Sequence, residues 1–222
     1  MKNIALACAF SALALASPVA TAAIKPIATD APAGLYKLDP VHASIVFRVN
    51  HIGFSNYTSR FAMFDARLQL DPKNPSAAQL TATVDVRSLA LNAPPAGFLD
   101  TLLGKEFFEA AKYPQISFRS TRVEMTAPNR ARITGDFTMH GVTRAVVLDA
   151  TLNGGYAGFQ LDPQARIGFS AHTSLKRSQF NMGFGVPPPG STMGVGDDVD
   201  IAIETEFTGP AWKNPKTPSK TK

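Results

Sequence analysis

Apolar and polar residues alternate along most of this 222-residue chain, and the alternation has a period of two. Ala43, Ile45, Phe47, Val49 and His51 fall in one phase, opposite Ser44, Arg48 and Asn50. Phe64, Ala66, Leu68 and Leu70 oppose Asp65, Arg67 and Gln69, while Leu80, Ala82, Val84 and Val86 oppose Thr81, Thr83, Asp85 and Arg87. The pattern returns at Ile133, Phe137 and Met139. After the connector His140 to Arg144 it resumes at Val146, Leu148, Ala150 and Leu152, and again at Ile201 and Ile203 against Glu204 and Glu206. Neighbouring side chains of a strand point to opposite faces, so each such run predicts an antiparallel strand with one buried side. Eight strands are expected, near 43–51, 60–70, 79–89, 115–125, 131–140, 144–153, 166–175 and 199–207. Asp71 to Pro75, Ala127-Pro128-Asn129 and Asn153-Gly154-Gly155 supply turn chemistry between them.

One stretch has a different period. Leu99, Leu102, Leu103, Phe107 and Ala110 stand at helical spacing, and Tyr113-Pro114 ends the run. Gly104 interrupts it, so a short or kinked helix within 99–112 is expected. Two stiff loops, Ala93 to Gly97 and Val186 to Gly196, flank the later strands. Eight antiparallel strands with no internal repeat fit an all-β closed barrel, because closure removes exposed strand edges. The alternative is an open two-sheet sandwich. An eight-stranded barrel is wide enough to be filled by side chains or to hold one slender guest.

The ends of the chain read differently. Lys2 precedes an apolar run, Ile4 to Leu15, and Ala20-Thr21-Ala22 has the form of a signal-peptidase site. The run falls short of the ~20 residues that span a bilayer. Residues 1–22 are therefore expected to be a cleaved signal peptide, 23–34 a linker, 35–208 the barrel and 209–222 a disordered basic tail. Cleavage removes Cys8, the sole cysteine, and with it any disulfide or thiolate chemistry. Without Lys2 the chain carries 21 basic and 17 acidic side chains, a net of +4, and four of the lysines lie in the last ten residues. The body is thus near neutral and lacks the basic, aromatic-interleaved face of a nucleic-acid binder. The lysine-rich tail could give a weak, transient attraction to an anionic membrane surface.

The four histidines offer no His-x-His or His-x-x-x-His pair, so no metal site is expected. Gly190-Ser191-Thr192-Met193-Gly194 lacks the spacing of a nucleophile elbow. His42, beside Asp39, and His140, out of phase with Phe137 and Met139, read as structural, the latter as a turn stabiliser. His172 shares its phase with Ser170 and Ser174. His51 continues an apolar face to a strand end, where it would point inward at a rim.

Four segments carry a family resemblance. Asp39-Pro40-Val41-His42-Ala43-Ser44-Ile45-Val46-Phe47-Arg48-Val49-Asn50-His51 resembles the opening strand of the YceI-like proteins. Phe107-Phe108-Glu109 through Tyr113-Pro114-Gln115-Ile116-Ser117-Phe118 is similar to their helix-to-strand passage. Gly135 to Arg144 resembles their central hairpin, and Gly168-Phe169-Ser170-Ala171 leading to Lys176-Arg177-Ser178-Gln179-Phe180 their late strand. The resemblance runs from about Leu35 to Phe207. It departs from the family in two places. Phe98 to Leu103 lacks the Arg and His common at the helix, and Ser178-Gln179-Phe180-Asn181 stands where Ser-Asp-Phe-Gly is usual. Both changes remove polar groups that could meet a ligand's head.

The resemblance implies a lipocalin-like barrel in the periplasm that binds a polyisoprenoid or similar long amphiphile. Phe47, Val49, His51, Phe64, Leu102, Phe107, Phe118, Phe137, Met139, Phe169, Met182 and Phe184 are expected to line its interior. No cofactor is required. The guest itself could be an isoprenoid quinone or a polyprenyl lipid, and a homodimer is left open. A carrier rather than an enzyme is expected. The alternatives are a periplasmic enzyme with His51 as base and a stress-related interaction protein.

Overall fold

The computed structural model describes residues 29–213. The expected signal peptide and most of the basic tail lie outside the described residues. Ten strands form one antiparallel sheet that closes on itself. They are β1 (Gly34–His51), β2 (Ser55–Phe61), β3 (Phe64–Leu70), β4 (Gln79–Asp85), β5 (Leu89–Ala90), β6 (Gln115–Ala127), β7 (Arg130–Met139), β8 (Val142–Tyr156), β9 (Gln164–Lys176) and β10 (Val195–Ala211).

Two of these strands are extensions of others, which reconciles ten segments with an eight-stranded barrel. β3 pairs with the start of β1, Lys37 facing Arg67, and β2 with its end, His51 facing Ser55. Next to them β4 pairs with β3 and β5 with β2, across a one-turn 3-10 helix at Val86–Ser88. From β4 the sheet runs through β6, β7, β8 and β9 to β10, which pairs with β1 and places Phe47 opposite Ile201. The barrel predicted from the alternation is the fold observed, and the open sandwich is not.

The inward phases also agree with the sequence pattern. Ile45, Phe47, Val49, Phe64, Ala66, Leu68, Leu80, Ala82, Val84, Ile133, Phe137, Leu148 and Ile201 all face the interior. At one end lie the β1–β2 tip, the crossover from 91 to 114, the β7–β8 hairpin and the β9–β10 connection. The β7–β8 turn has two residues, His140 at φ 49° and Gly141 at φ 75°, between paired Met139 and Val142. Two consecutive positive φ values are the tight hairpin geometry whose twist matches the flanking strands. At the other end lie the β3–β4, β6–β7 and β8–β9 connections and residues 29–33. That last stretch, expected as linker, packs against the barrel: Ala31 is buried and Asp30 Oδ1 accepts from Ala157 N at 3.0 Å. β10 likewise continues beyond 208 to Ala211.

The helix is shorter than the spacing predicted. α1 covers Phe98–Leu103 alone. Gly104 ends it in an extended conformation, and Glu109 at φ 43° turns the chain again. The following backbone bonds, Glu109 N to Gly104 O and Ala110 N to Leu103 O, coil the segment so that Phe107 and Phe108 still reach the core. Apolar spacing placed these side chains correctly; backbone geometry made the path a turn.

Candidate functional site: the barrel interior

A cavity of about 1490 Å³ lies inside the barrel, and its lining runs from the β1–β2 rim to the β3–β4 and β6–β7 connections at the far end. Small side chains explain why it is hollow. Ala131, Ala150 and Ala171 stand side by side across β7, β8 and β9, and Ala66 faces Ala82 across β3 and β4. All five point inward. Branched residues there would meet across a barrel of this strand number and fill it. The remaining wall is phenylalanine and aliphatic, including Phe47, Phe61, Phe64, Phe118, Phe137 and Phe169. Gly135 makes room for one of these rings, since a Cβ there would stand 2.4 Å from Phe118 Cζ and 2.6 Å from Arg119 O.

Eleven of the twelve residues expected inside do line the cavity: Phe47, Val49, His51, Phe64, Leu102, Phe107, Phe118, Phe137, Met139, Phe169 and Met182. Phe184 does not. It is 54% exposed, and its ring packs edge-on against Phe107 at 5.4 Å. The chain has left strand geometry there, and Gly185 at φ 69° turns it outward, so no alternation phase applies.

Polar groups in the lining are few and lie mostly at the ends. His51 is an exposed rim residue, with Ser55 directly opposite it and Tyr57 nearby in the lining. At the far end Asp30, Asp71, Lys73 and Arg130 border the opening. Of the walls between, Ser117, Thr173 and Thr205 carry hydroxyls, and Thr205 Oγ1 donates to Phe169 O at 3.3 Å. The walls therefore offer a guest dispersion and little else, while the rim can hydrogen-bond a head group.

Sequence patterning missed the role of Arg177. The alternation near 166–175 stops short of Arg177, which is 6% exposed. Its Nε donates to Gly196 O at 2.9 Å, Nη1 to Met182 O at 2.6 Å and Phe184 O at 2.8 Å, and Nη2 to Val195 O at 2.8 Å. Burial lowers its pKa from the usual arginine value, with Asp197 opposing the shift. One guanidinium thus ties the β9–β10 connection to the rim. A cation ahead of a glycine-rich loop was the available signal, and periodicity does not register it.

His140 joins elements rather than only stabilising its turn. Its side chain is 9% exposed, Nδ1 donates to Phe180 O at 3.2 Å, and the ring packs on Tyr113 at 4.8 Å. Nε2 is buried without a hydrogen bond, 3.6 Å from Glu109 Oε2. Asn181, at the family's usual glycine position, sits at φ 61°, a conformation that asparagine tolerates better than most residues. His172 is exposed on the outer wall, out of phase with the inward Ala171 and Thr173.

On the outer wall Asp39, His42 and Glu206 bring ligand-type atoms within 4.8 Å of one another, a grouping that sequence spacing did not show. Arg166 already serves these carboxylates, with Nη1 2.7 Å from Asp39 and 3.7 Å from Glu206, and its Nε is 2.6 Å from Asp162. The bonds from His42 and Arg166 hold the Asp39 carboxyl down at about 2. His42 is pushed upward, first by its bond to Asp39 and then by Glu206. The depressed carboxyl stabilises the fold above its unfolded pKa of about 3.9, and this contribution is lost as pH falls toward 2. The raised imidazole contributes fully below about 6.5 and loses its contribution as pH rises through its folded value. An NMR titration should find His42 titrating above 6.5 in the wild type and lower in Asp39→Asn. Identical curves would mean the pair is not formed in solution.

The comparisons with known proteins agree with this architecture. A YceI-like domain is matched over residues 36–207. The chain belongs to the YceI-like family. A UPF0312 protein of Pseudomonas putida strain GB-1 is 34% identical over 199 residues, covering 88% of this chain and 95% of that protein. A UPF0312 protein of Vibrio cholerae is 32% identical over 192 residues, covering 85% and 94%. Among solved structures, a Campylobacter jejuni YceI protein superposes with a TM-score of 0.60 at 29% identity, covering 74% of this YceI-like chain and 90% of its own. A polyisoprenoid binding domain from Saccharophagus degradans superposes with a TM-score of 0.57 at 13% identity, covering 79% and 98%, which speaks to fold alone.

Proposed function

We propose that this YceI-like protein is an exported carrier that holds one long-chain amphiphile, a polyisoprenoid or prenyl lipid, inside its barrel. The observation that carries the proposal is the hollow, apolar interior of about 1490 Å³. Pockets for drug-sized molecules are about 300–1,000 Å³. A space this large and this apolar suits a long hydrocarbon. Each five-carbon isoprene unit buried contributes on the order of 3–4 kcal/mol gross, reduced by the cost of immobilising the guest. Affinity therefore needs no polar anchor. His51, with Ser55 and Tyr57, stands where a head group would emerge. The Saccharophagus degradans domain with the same fold is described as polyisoprenoid binding, which supports this guest class. The signal-peptide pattern ending at Ala22 supports a periplasmic location. The chemistry asked of the protein is binding rather than turnover.

Solvent extraction of the purified protein, followed by mass spectrometry, should release a long-chain lipid in near one-to-one ratio. A protein that yields no lipid and takes up no added polyprenol would sink the proposal.

A further inference from the structure

Three stretches of the connections at the barrel end that carries His51 stand together: the β1–β2 tip, residues 92–98 of the crossover, and residues 183–195 of the β9–β10 connection. They are held together. Ile52 N donates to Gly194 O at 2.9 Å, Asn92 Nδ2 to Thr58 O at 3.4 Å, and Phe184 packs on Phe107. Ile52 to Phe54, Asn92 to Phe98 and Gly183 to Val195 contain no charged side chain. Large apolar side chains stand out from them instead: Phe54 is 86% exposed, Met193 74%, Phe184 54% and Phe98 38%. Asp100, Lys105 and Glu106 follow the second stretch and Asp197 and Asp198 follow the third, rather than lying in them. The opposite end of the cavity is unlike this one, bordered by exposed Asp30, Asp71, Lys73 and Arg130.

We propose that these charge-free loops dock on a lipid bilayer, placing Phe54, Met193, Phe184 and Phe98 in the interfacial region so that a guest moves between bilayer and barrel without crossing water. The proposal rests on the carrier reading and adds where and how the guest enters. Single exposed apolar residues are ordinary on soluble proteins, whereas a cluster around an apolar opening is a contact surface. Surfaces that bind proteins tightly centre on Trp, Tyr and Arg, and these three loops contain none. Phenylalanine and methionine on uncharged loops match the apolar face of an interfacial segment, and such a face opens here onto a hydrocarbon-sized cavity. Among the described residues no helix is long and apolar enough to cross a membrane.

The test compares the full processed protein with Phe54→Ser/Met193→Ser. Both residues are exposed and outside the cavity lining, so guest binding should survive. Uptake of undecaprenol is measured from detergent micelles and from phosphatidylethanolamine–phosphatidylglycerol vesicles, with vesicle co-sedimentation at low and high salt. The two proteins should take up undecaprenol equally from micelles. The variant should lose about tenfold or more in vesicle binding and vesicle uptake, and the wild type should bind vesicles at high salt. Phe54→Leu/Met193→Leu should restore both. Equal vesicle uptake by wild type and the serine variant overturns the proposal. So does binding abolished by salt, which would assign adsorption to the lysine-rich tail. A self-association broken by the serine substitutions, without vesicle binding, would make the surface a contact with a second copy. Failure to take up undecaprenol from micelles as well would instead refute the carrier reading.

Discussion

Replacing Arg177 with methionine is expected to lower the free energy of unfolding by about 3–4 kcal/mol, a fall in Tm on the order of 10 °C. The methionine keeps much of the aliphatic stem but donates nothing to Met182, Phe184, Val195 and Gly196, whose carbonyls all converge on the guanidinium. Arg177→Lys should recover little, because one ammonium cannot reproduce a planar fork directed at four acceptors. Urea denaturation monitors the loss. Hydrogen exchange at Val195, whose amide donates to Gly185 O, should accelerate by more than the global destabilisation accounts for. A urea midpoint unchanged in Arg177→Met would show that water replaces the guanidinium without penalty, and that the loop is held by its own turns.

The second large effect has opposite signs for stability and binding. Ala82→Phe combined with Ala171→Phe should reduce polyprenol affinity by about two orders of magnitude, and leave the empty protein as stable as the wild type or more so. Both alanines face the cavity. A ring at each would occupy hydrocarbon space that a guest otherwise fills, and would gain contacts in a region now lined on one side only. Titration with a fluorescent polyprenol analogue reads the affinity, and thermal unfolding reads the stability. Full affinity in the doubly substituted protein would place the guest outside the barrel. Unfolding of the variant would mean instead that the interior is already tightly packed.

Much of this fold was legible because strands report their inside by a period of two. The phase of Ala43 to His51, or of Phe64 to Leu70, depends on which residues water must not touch, and sequence records that directly. The same record could not tell a packed barrel from a hollow one. Ala66, Ala82 and Ala150 were assigned to the inner face, but whether small residues meet each other or meet phenylalanine depends on register between strands. That register sets Ala131, Ala150 and Ala171 in a row. Outside the strands legibility fell away. Phe184 was expected inside with Met182, and a glycine turn carried it out. Arg177 carried no expected role, because its partners are backbone carbonyls that no residue identity announces. The Asp39, His42, Glu206 and Arg166 network joins three strands whose members are far apart in sequence.

The pairing of β1 with β10 makes closure of the barrel depend on its most distant contact in sequence. The earliest strand of the described chain and the latest one form a single ladder, from Lys37 opposite Thr208 to His51 opposite Val195. Until that ladder zips, β1 has an open edge and the chain has no enclosed interior. Contacts so distant in sequence form slowly. If the chain is exported unfolded, as proposed, this last pairing is left to the far side of the membrane. Whatever the barrel holds is enclosed only once β10 has paired with β1.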